Sequence, residues 1–378
     1  MNPFEAKVIL KYNNSSFTGS VESFTYTDNA SSASDSISVT LKNINRKWNN
    51  QRMPKKASKI TASIQITGED KKKRTYRCGT FYLDDMEFQG YPSTINIGAV
   101  SDPVNYSFKN RKRDQTWNKT TLKQVAGDIA KRYKFKLKYS ASTIKLSAVE
   151  QDGQTDSEFL DSLCKKYGCG LKLYAKKIVI YEIERYESRS PKKTIYEKDM
   201  EPGWNYHTTI NGNYNAVKLS YTGTDGNTIE VKAGKGKRVL ELNEKADNRD
   251  DAMKIALARV NAENADTTTL RFTLRKPAFI SSTQVIRIRG LGKLSGKYFV
   301  TRVRHTLNGG YKVQIEARKV SGRIYDPKRK KMDICLGDPN ETEQRIGIVD
   351  DKRKKDPVQK RRDLEVVYGR FNQNRQGV

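Results

Sequence analysis

From Phe4 to Ala99 apolar and polar residues alternate, most clearly in Ile37-Ser38-Val39-Thr40-Leu41, Ile60-Thr61-Ala62-Ser63-Ile64-Gln65-Ile66 and Ile95-Asn96-Ile97-Gly98-Ala99. A period of two turns one face of each segment toward a core and the other toward water, so these segments predict half-buried strands. Gly68 to Lys73 and Gly90 to Ser93 hold the turn-forming residues that hairpins between them require.

The period changes at Thr116-Trp117-Asn118-Lys119-Thr120-Thr121, where a Thr or Asn cap precedes Leu122, Val125, Ile129 and Ala130 at helical spacing. Phe135, Leu137 and Tyr139 then alternate with Lys134, Lys136 and Lys138, which predicts a strand with one apolar and one basic face. A second such unit follows. Asp156 or Ser157 is expected to cap a helix carrying Phe159, Leu160, Leu163 and Cys164, which Gly168 and Gly170 end. Leu171-Lys172-Leu173-Tyr174 and Lys177-Ile178-Val179-Ile180-Tyr181 read as a hairpin, so Thr116 to Glu184 is a compact α/β insert. After a connector from Pro191 to Gly203, strands return at Ala216 to Tyr221, an amphipathic helix is expected over 249–262, and strand patterns run on to Ala317.

The two ends of this pattern resemble each other. With Gly79 placed on Gly296, Phe81-Tyr82-Leu83 falls on Tyr298-Phe299-Val300, and Met86 and Phe88 fall on Val303 and His305. After a one-residue slip Ile95, Ile97 and Ala99 fall on Val313, Ile315 and Ala317, and upstream Ile64 to Gly68 resembles Ile286 to Gly290. Unrelated hairpins also look alike once gaps are allowed; the sharper reading is a duplicated β domain. A chain with two copies of one unit can close a pseudo-six-fold ring from three subunits.

Composition narrows the function classes. At 378 residues the chain predicts two or three domains, and 35% hydrophobic residues in well-patterned runs argue against disorder. No segment has the length of a signal h-region or a membrane span, so the chain is expected to be made and kept in cytoplasm. Cys78, Cys164, Cys169 and Cys335 form no CxxC pair and are read as reduced and buried. The net charge of +29 demands an acidic neighbour or a tolerance for self-repulsion. It is spread along the chain: the segment after Val320 carries 15 basic and 10 acidic residues, not a concentrated arm.

Candidate chemistry is sparse. His207 and His305 sit in no catalytic motif and are read as structural. Asp84 and Asp85 are adjacent on a predicted strand and should point to opposite faces, which stops them acting as paired carboxylates. Gly290-Leu291-Gly292-Lys293-Leu294-Ser295-Gly296 lacks the ending of a phosphate loop and opens a strand, so it reads as a turn. Lys131 to Tyr139 interleaves basic and aromatic residues as nucleic-acid platforms do, but strict alternation puts the aromatics in a core. No catalytic residue, metal ligand or cofactor site is expected.

The turn Thr25-Tyr26-Thr27-Asp28-Asn29-Ala30 leading to Asp35-Ser36-Ile37-Ser38-Val39-Thr40-Leu41, then Gly79 to Asp85, Thr116-Trp117, Asp156 to Leu160, and Gly296 to Val300 with His305, resembles the phage late control gene D family. These are contractile-tail baseplate hub proteins, related to the N-terminal hub part of the type VI secretion spike VgrG. No single motif is specific; their order and spacing are, over most of residues 1 to 320. The resemblance implies a mainly β fold with an α+β insert: tube-type β-barrel-like domains at 1–110 and 191–320, related by internal duplication, and a central α/β domain at 111–190. It implies a homotrimeric structural protein, not an enzyme. It would adapt a hexameric tail tube to a trimeric spike, initiate tube assembly, and meet baseplate wedge and tape measure proteins in a virion or tailocin-like particle. Residues 321–378 depart from the family and read as a charged extension with two short apolar docking pieces, Ile334-Cys335-Leu336 and Leu364 to Tyr368. The runner-up is a basic nucleic-acid-binding protein of mobile-element origin.

Overall fold

The computed structural model describes residues 4–12, 15–16, 21–50, 53–101, 106–174, 176–223, 226–320 and 322–328; both apolar pieces of the extension, and Cys335, lie outside them. The chain opens with β1 (Glu5–Tyr12), β2 (Ser15–Ser16), β3 (Val21–Asn29), β4 (Ser36–Lys42), β5 (Lys59–Thr67), β6 (Lys73–Gln89) and β7 (Thr94–Val100). An α/β segment follows: α1 (Tyr106–Asn110), β8 (Lys112–Thr121), α2 (Leu122–Arg132), β9 (Lys136–Ser140), β10 (Lys145–Thr155), α3 (Asp156–Lys166), β11 (Cys169–Tyr174), β12 (Lys177–Glu182) and α4 (Ile183–Ser188). The chain returns through β13 (Lys193–Tyr196) and β14 (Asn205–Thr208), then forms β15 (Ala216–Thr222), β16 (Thr228–Gly234), β17 (Val239–Leu242) and α5 (Arg249–Ala265). Last come β18 (Thr268–Leu274), β19 (Val285–Arg289), β20 (Gly296–Leu307) and β21 (Tyr311–Lys319).

Thirteen strands make one sheet, in the order β14-β18-β21-β20-β3-β4-β7-β6-β5-β1-β2, with β19 on β20 and β13 on β19. Within it two sets of five share one antiparallel order, β3-β4-β7-β6-β5 and β14-β18-β21-β20-β19. The registers agree as well. Leu83, Met86 and Phe88 face Ala99, Ile97 and Ile95, while Val300, Val303 and His305 face Ala317, Ile315 and Val313. A bulge falls after Leu83 in one set and after Val300 in the other. Leu83 N donates to Ser58 O at 2.9 Å and Val300 N to Gln284 O at 2.9 Å, next to left-handed Ala57 (φ 63) and Thr283 (φ 66). Ala62 pairs with Gly79 and Ile288 with Gly296, so the upstream partner of Ile286-Arg287-Ile288 is Ile60-Thr61-Ala62. The alignment expected from Ile64 to Gly68 is four residues off, because β6 extends further toward its turn than β20 does.

One core runs through both sets and buries Phe24, Tyr26, Ile37, Val39, Phe81, Leu83, Phe272, Tyr298, Val303 and Ile315. Each large apolar side chain so removed from water contributes about 1.5–3 kcal/mol. The insert has its own core, in which Trp117 stacks on Phe159 at 5.4 Å among Leu122, Val125, Ile129 and Leu160. Thr121 caps α2 by accepting from Gln124 N. The cap of α3 is Thr155, not Asp156 or Ser157: its hydroxyl accepts from Glu158 N, and Glu158 reaches back to Thr155 N, a reciprocal capping box. That frees Asp156 for another role.

Residues expected to belong to the second β domain form a third core. β15, β16 and β17 make a separate three-stranded sheet covered by α5, burying Val217, Leu219, Val231, Ala252, Ile255, Ala256 and Val260. The expected single apolar stripe of α5 is not found: Ala258, on another side, is also buried and lies against Gly168 of the insert. The connector after Pro191 also holds a strand, β13, paired in parallel with β19.

Candidate functional site: a buried ionic junction and two open strand edges

The insert meets the two β sets at a buried ammonium. β11 is covered on both faces, and Lys172, whose side chain is 3% exposed, points away from the insert core. Its Nζ donates to Asp28 Oδ1 at 2.5 Å, Asn29 O at 2.9 Å and Ser282 Oγ at 3.2 Å, and lies 3.1 Å from Asp35 Oδ1. Asp28 also accepts from Ser282 N at 2.8 Å, and Asp35 from Asn29 N at 3.0 Å. The junction therefore ties the turn between β3 and β4, the insert strand β11 and the approach to β19. Tyr181 OH donates to Ala30 O at 3.0 Å beside it.

One cation between two carboxylates leaves one of them under-compensated. Burial and the charge of Asp28 raise the Asp35 carboxyl to about 7 despite Lys172, and Asp35 Oδ2 has no hydrogen-bond partner. Nearby, His305 is fully buried, with Nδ1 2.7 Å from Tyr311 OH and its ring stacked on Tyr26 at 5.7 Å. Burial lowers its pKa to about 4, against the pull of Asp28. The two groups act on stability in opposite senses. Native Asp35 holds a proton that the unfolded chain releases, so its contribution falls as pH rises from the ordinary carboxyl range to about 7. Native His305 refuses a proton that the unfolded chain takes, so its contribution rises with pH from about 4 to the ordinary imidazole value. Asp35→Asn is expected to leave a stability that climbs between pH 4 and 6.5, and His305→Phe one that falls, each by at most about 1.4 kcal/mol per pH unit. Urea unfolding at pH 4, 5.5 and 7 reads both slopes; equal slopes in the two variants would refute the assignment.

The remaining residues weighed from sequence are dispersed. His207 lies exposed on β14, whereas His305 is buried on β20. Asp84 and Asp85 are both exposed, at the point where the register between β6 and β7 shifts. Gly292 to Leu294 form a short 3-10 turn leading into β20. Cys78, Cys164 and Cys169 are buried thiols whose pKa values burial raises. In the Lys131 to Tyr139 stretch Tyr133 and Phe135 are core residues of the insert, closed to stacking bases. A cleft of about 520 Å³ between the insert, α5 and β20 is lined by charges that answer one another: Arg318 meets Asp266 at 3.4 Å and Arg302 meets Glu316 at 3.5 Å. No three His, Cys, Asp or Glu side chains gather as metal ligands among the described residues, and no described helix is long and apolar enough to cross a membrane.

Several strand edges of the sheet are open among the described residues, those of β14 and of the outer part of β6 among them. β14 pairs with β18 on one side only. β6 pairs with β5 as far as Tyr82 and with the turn at Ser58 through Leu83; beyond that its outer side has no neighbour.

No protein-family model matches the chain. It is 25% identical over 167 residues to the "Probable baseplate hub protein" of Escherichia phage 186, covering 44% of this chain and 41% of that one. It is 26% identical over 160 residues, 41% of this chain and 39% of the other, to the protein of the same name in Escherichia phage P2. Among solved structures, the 43 kDa tail protein of prophage MuSo2 from Shewanella oneidensis superposes with a TM-score of 0.64 at 16% identity, over 83% of this chain and 98% of that one. An Escherichia coli component of the type VI secretion system, described as structurally similar to T4 tail proteins, superposes with a TM-score of 0.53 at 12% identity, over 84% and 79% of the two chains. The chain is thus related in sequence to phage baseplate hub proteins and shares the fold of phage tail and type VI spike-related proteins. The matched segments span about two fifths of those hub proteins' lengths.

Proposed function

We propose, from this kinship, that the chain is a non-enzymatic structural hub that assembles as a homotrimer in a phage or phage-tail-like baseplate. The observation that carries the reading is the pair of five-stranded sets with one strand order and one register, already fused side by side through β3 and β20. We read them as products of an internal duplication, and three chains then present six equivalent units. Such a ring matches a hexameric tail tube on one face and a three-fold spike on the other, and it would initiate the tube. Baseplate wedge and tape measure proteins are further expected partners, and assembly would take place in the host cytoplasm. In this reading residues 1–110 and 191–320 supply the ring and 111–190 a peripheral domain, with 216–265 a further small layer beside it. The ionic junction and its paired charges support a structural role, since each group is used in joining parts of the chain and none is poised toward a substrate.

Native mass across a concentration series, alone and with the candidate spike protein, tests the proposal. A trimer, or a three-to-three complex with the spike, is expected. A monomer that ignores the spike and binds DNA with a steep salt dependence would replace it by the nucleic-acid reading.

A further inference from the structure

The two five-stranded sets carry different chemistry on one equivalent face. Gly79 and Gly296 occupy the same place, so Thr61 opposite Thr80 in the first set matches Arg287 opposite Lys297 in the second. Further along the same strands, Ser63 matches Arg289. All six lie on the outer side of the sheet, since their neighbours Ala62 and Phe81, like Ile288 and Tyr298, belong to the core.

Two hydroxyls facing each other across a strand pair are favourable, whereas two like charges directly opposed are destabilising. In the first set no cation faces another: Lys11 is opposite Thr61, Ser63 stands between Ile9 and Arg77, and Gln65 between Lys7 and Thr75. In the second set Arg287 and Lys297 meet directly and Arg289 is exposed two residues along. No ion pair relieves the three among the described residues. Burial lowers the pKa of the Lys297 ammonium; Glu187 opposes this and Arg287 adds to it. Glu187 is itself held by Arg318 at 2.8 Å and by Arg323. Beside the cluster, Tyr196 on β13 lies opposite Arg289 and is 42% exposed.

We propose that the outer face of β13, β19 and β20, with Arg287, Arg289 and Lys297 at its centre, docks a carboxylate-bearing surface of a separate protein. Opposed cations destabilise a free chain, while a partner's carboxylates would remove the repulsion and accept from both guanidinium forks. The cluster is compact and not a stripe: Glu187 bounds it beside Lys297, and Glu197, packed against Gly290, bounds it beside Arg289. A continuous phosphate backbone crossing the face would meet those acids, whereas a few carboxylates fit between them. On the trimeric hub reading, which this last step rests on, three chains present the face three times and not six. The partner can thus tell the two pseudo-equivalent units apart.

The full-length chain in which Arg287→Thr, Arg289→Ser and Lys297→Thr restore the first-set residues is the first test, since none of the three side chains is buried. Losing the repulsion should raise its urea midpoint above the parent's at low salt, with the gap shrinking as salt screens the charges. A short poly-glutamate peptide activated by carbodiimide should link to Lys297 of the parent. Arg287→Thr with Arg289→Ser, which keeps that lysine, should cut the linkage about tenfold. A triple variant no more stable than the parent, or linkage unchanged in the double variant, would overturn the proposal. So would duplex DNA displacing the peptide at equal charge, which would make this a phosphate-binding face. Links from Lys297 to the chain's own Asp333 to Glu343 without peptide would overturn it too, by making the occupant internal. Native mass keeps the two readings apart: a trimer without linkage leaves the hub and removes the docking face, and a monomer that links at Lys297 does the reverse.

Discussion

Lys172→Met is expected to lower the free energy of unfolding by about 3–5 kcal/mol at pH 7, the usual cost of removing one partner from a buried ion pair. Methionine fills the space of the lysine stem but supplies no charge. Asp28 would keep its bonds from Ser282 N and Oγ, and Asp35 its bond from Asn29 N, yet two carboxylates would face each other with no cation. Burial works against the Lys172 ammonium, but Asp28 and then Asp35 outweigh it and raise its pKa, so the charge being removed is firmly in place in the native state. The relief available to the variant is protonation of Asp35, which burial already favours up to about pH 7. The loss should therefore shrink at pH 5 and be partly recovered by adding Asp28→Asn. Urea unfolding of the parent and the two variants at pH 5 and 7 decides it. A Lys172→Met chain as stable as its parent at pH 7 would mean that apolar packing alone joins the insert to the β sets.

That junction was hidden in the sequence for a physical reason. Lysine at alternate positions of a strand reads as a solvent-facing row, and in β9 Lys136 and Lys138 are exposed or half-buried accordingly. β11 carries the same pattern, but its second face is covered by the first β set, and the partners of Lys172 come from as far as 144 residues away. The meanders β5-β6-β7 and β19-β20-β21 were legible because short turns keep their pattern contiguous, with Gly79 and Gly296 both at left-handed φ to mark the same point. The equivalence of β14 with β3 was not legible. β14 has only four residues, and between it and β18 the chain makes the separate β15–β17 sheet and α5, whereas β3 and β4 follow one another directly. Local periodicity identifies strands; it does not say which strand across an insertion belongs to which sheet.

The same limit applies to Asp156, which sequence reasoning placed as a helix cap. Thr155 does the capping, and Asp156, fully buried at the start of α3, instead gathers donors from three other elements. Arg132 Nη1 on α2 reaches its two oxygens at 2.8 and 2.7 Å, Gln151 Nε2 on β10 donates at 3.1 Å, Tyr133 OH also donates to it, and Arg113 Nε on β8 stands at 3.2 Å as an ion pair without a hydrogen bond. The site offers donors only, so it needs a group that accepts on both oxygens and carries negative charge at a helix N-terminus. Asp156→Ala is expected to cost about 3–5 kcal/mol by leaving two arginines uncompensated. Asp156→Asn should come within about 1 kcal/mol of that, since its amide would turn a donor toward groups that also donate. Denaturation followed through Trp117, which stacks on Phe159 of α3, places the loss in the insert. If Asp156→Asn were as stable as the parent, shape and not charge would hold α2, β8 and β10 to α3, and the insert would have to be understood as a packed core with an incidental ion at its edge.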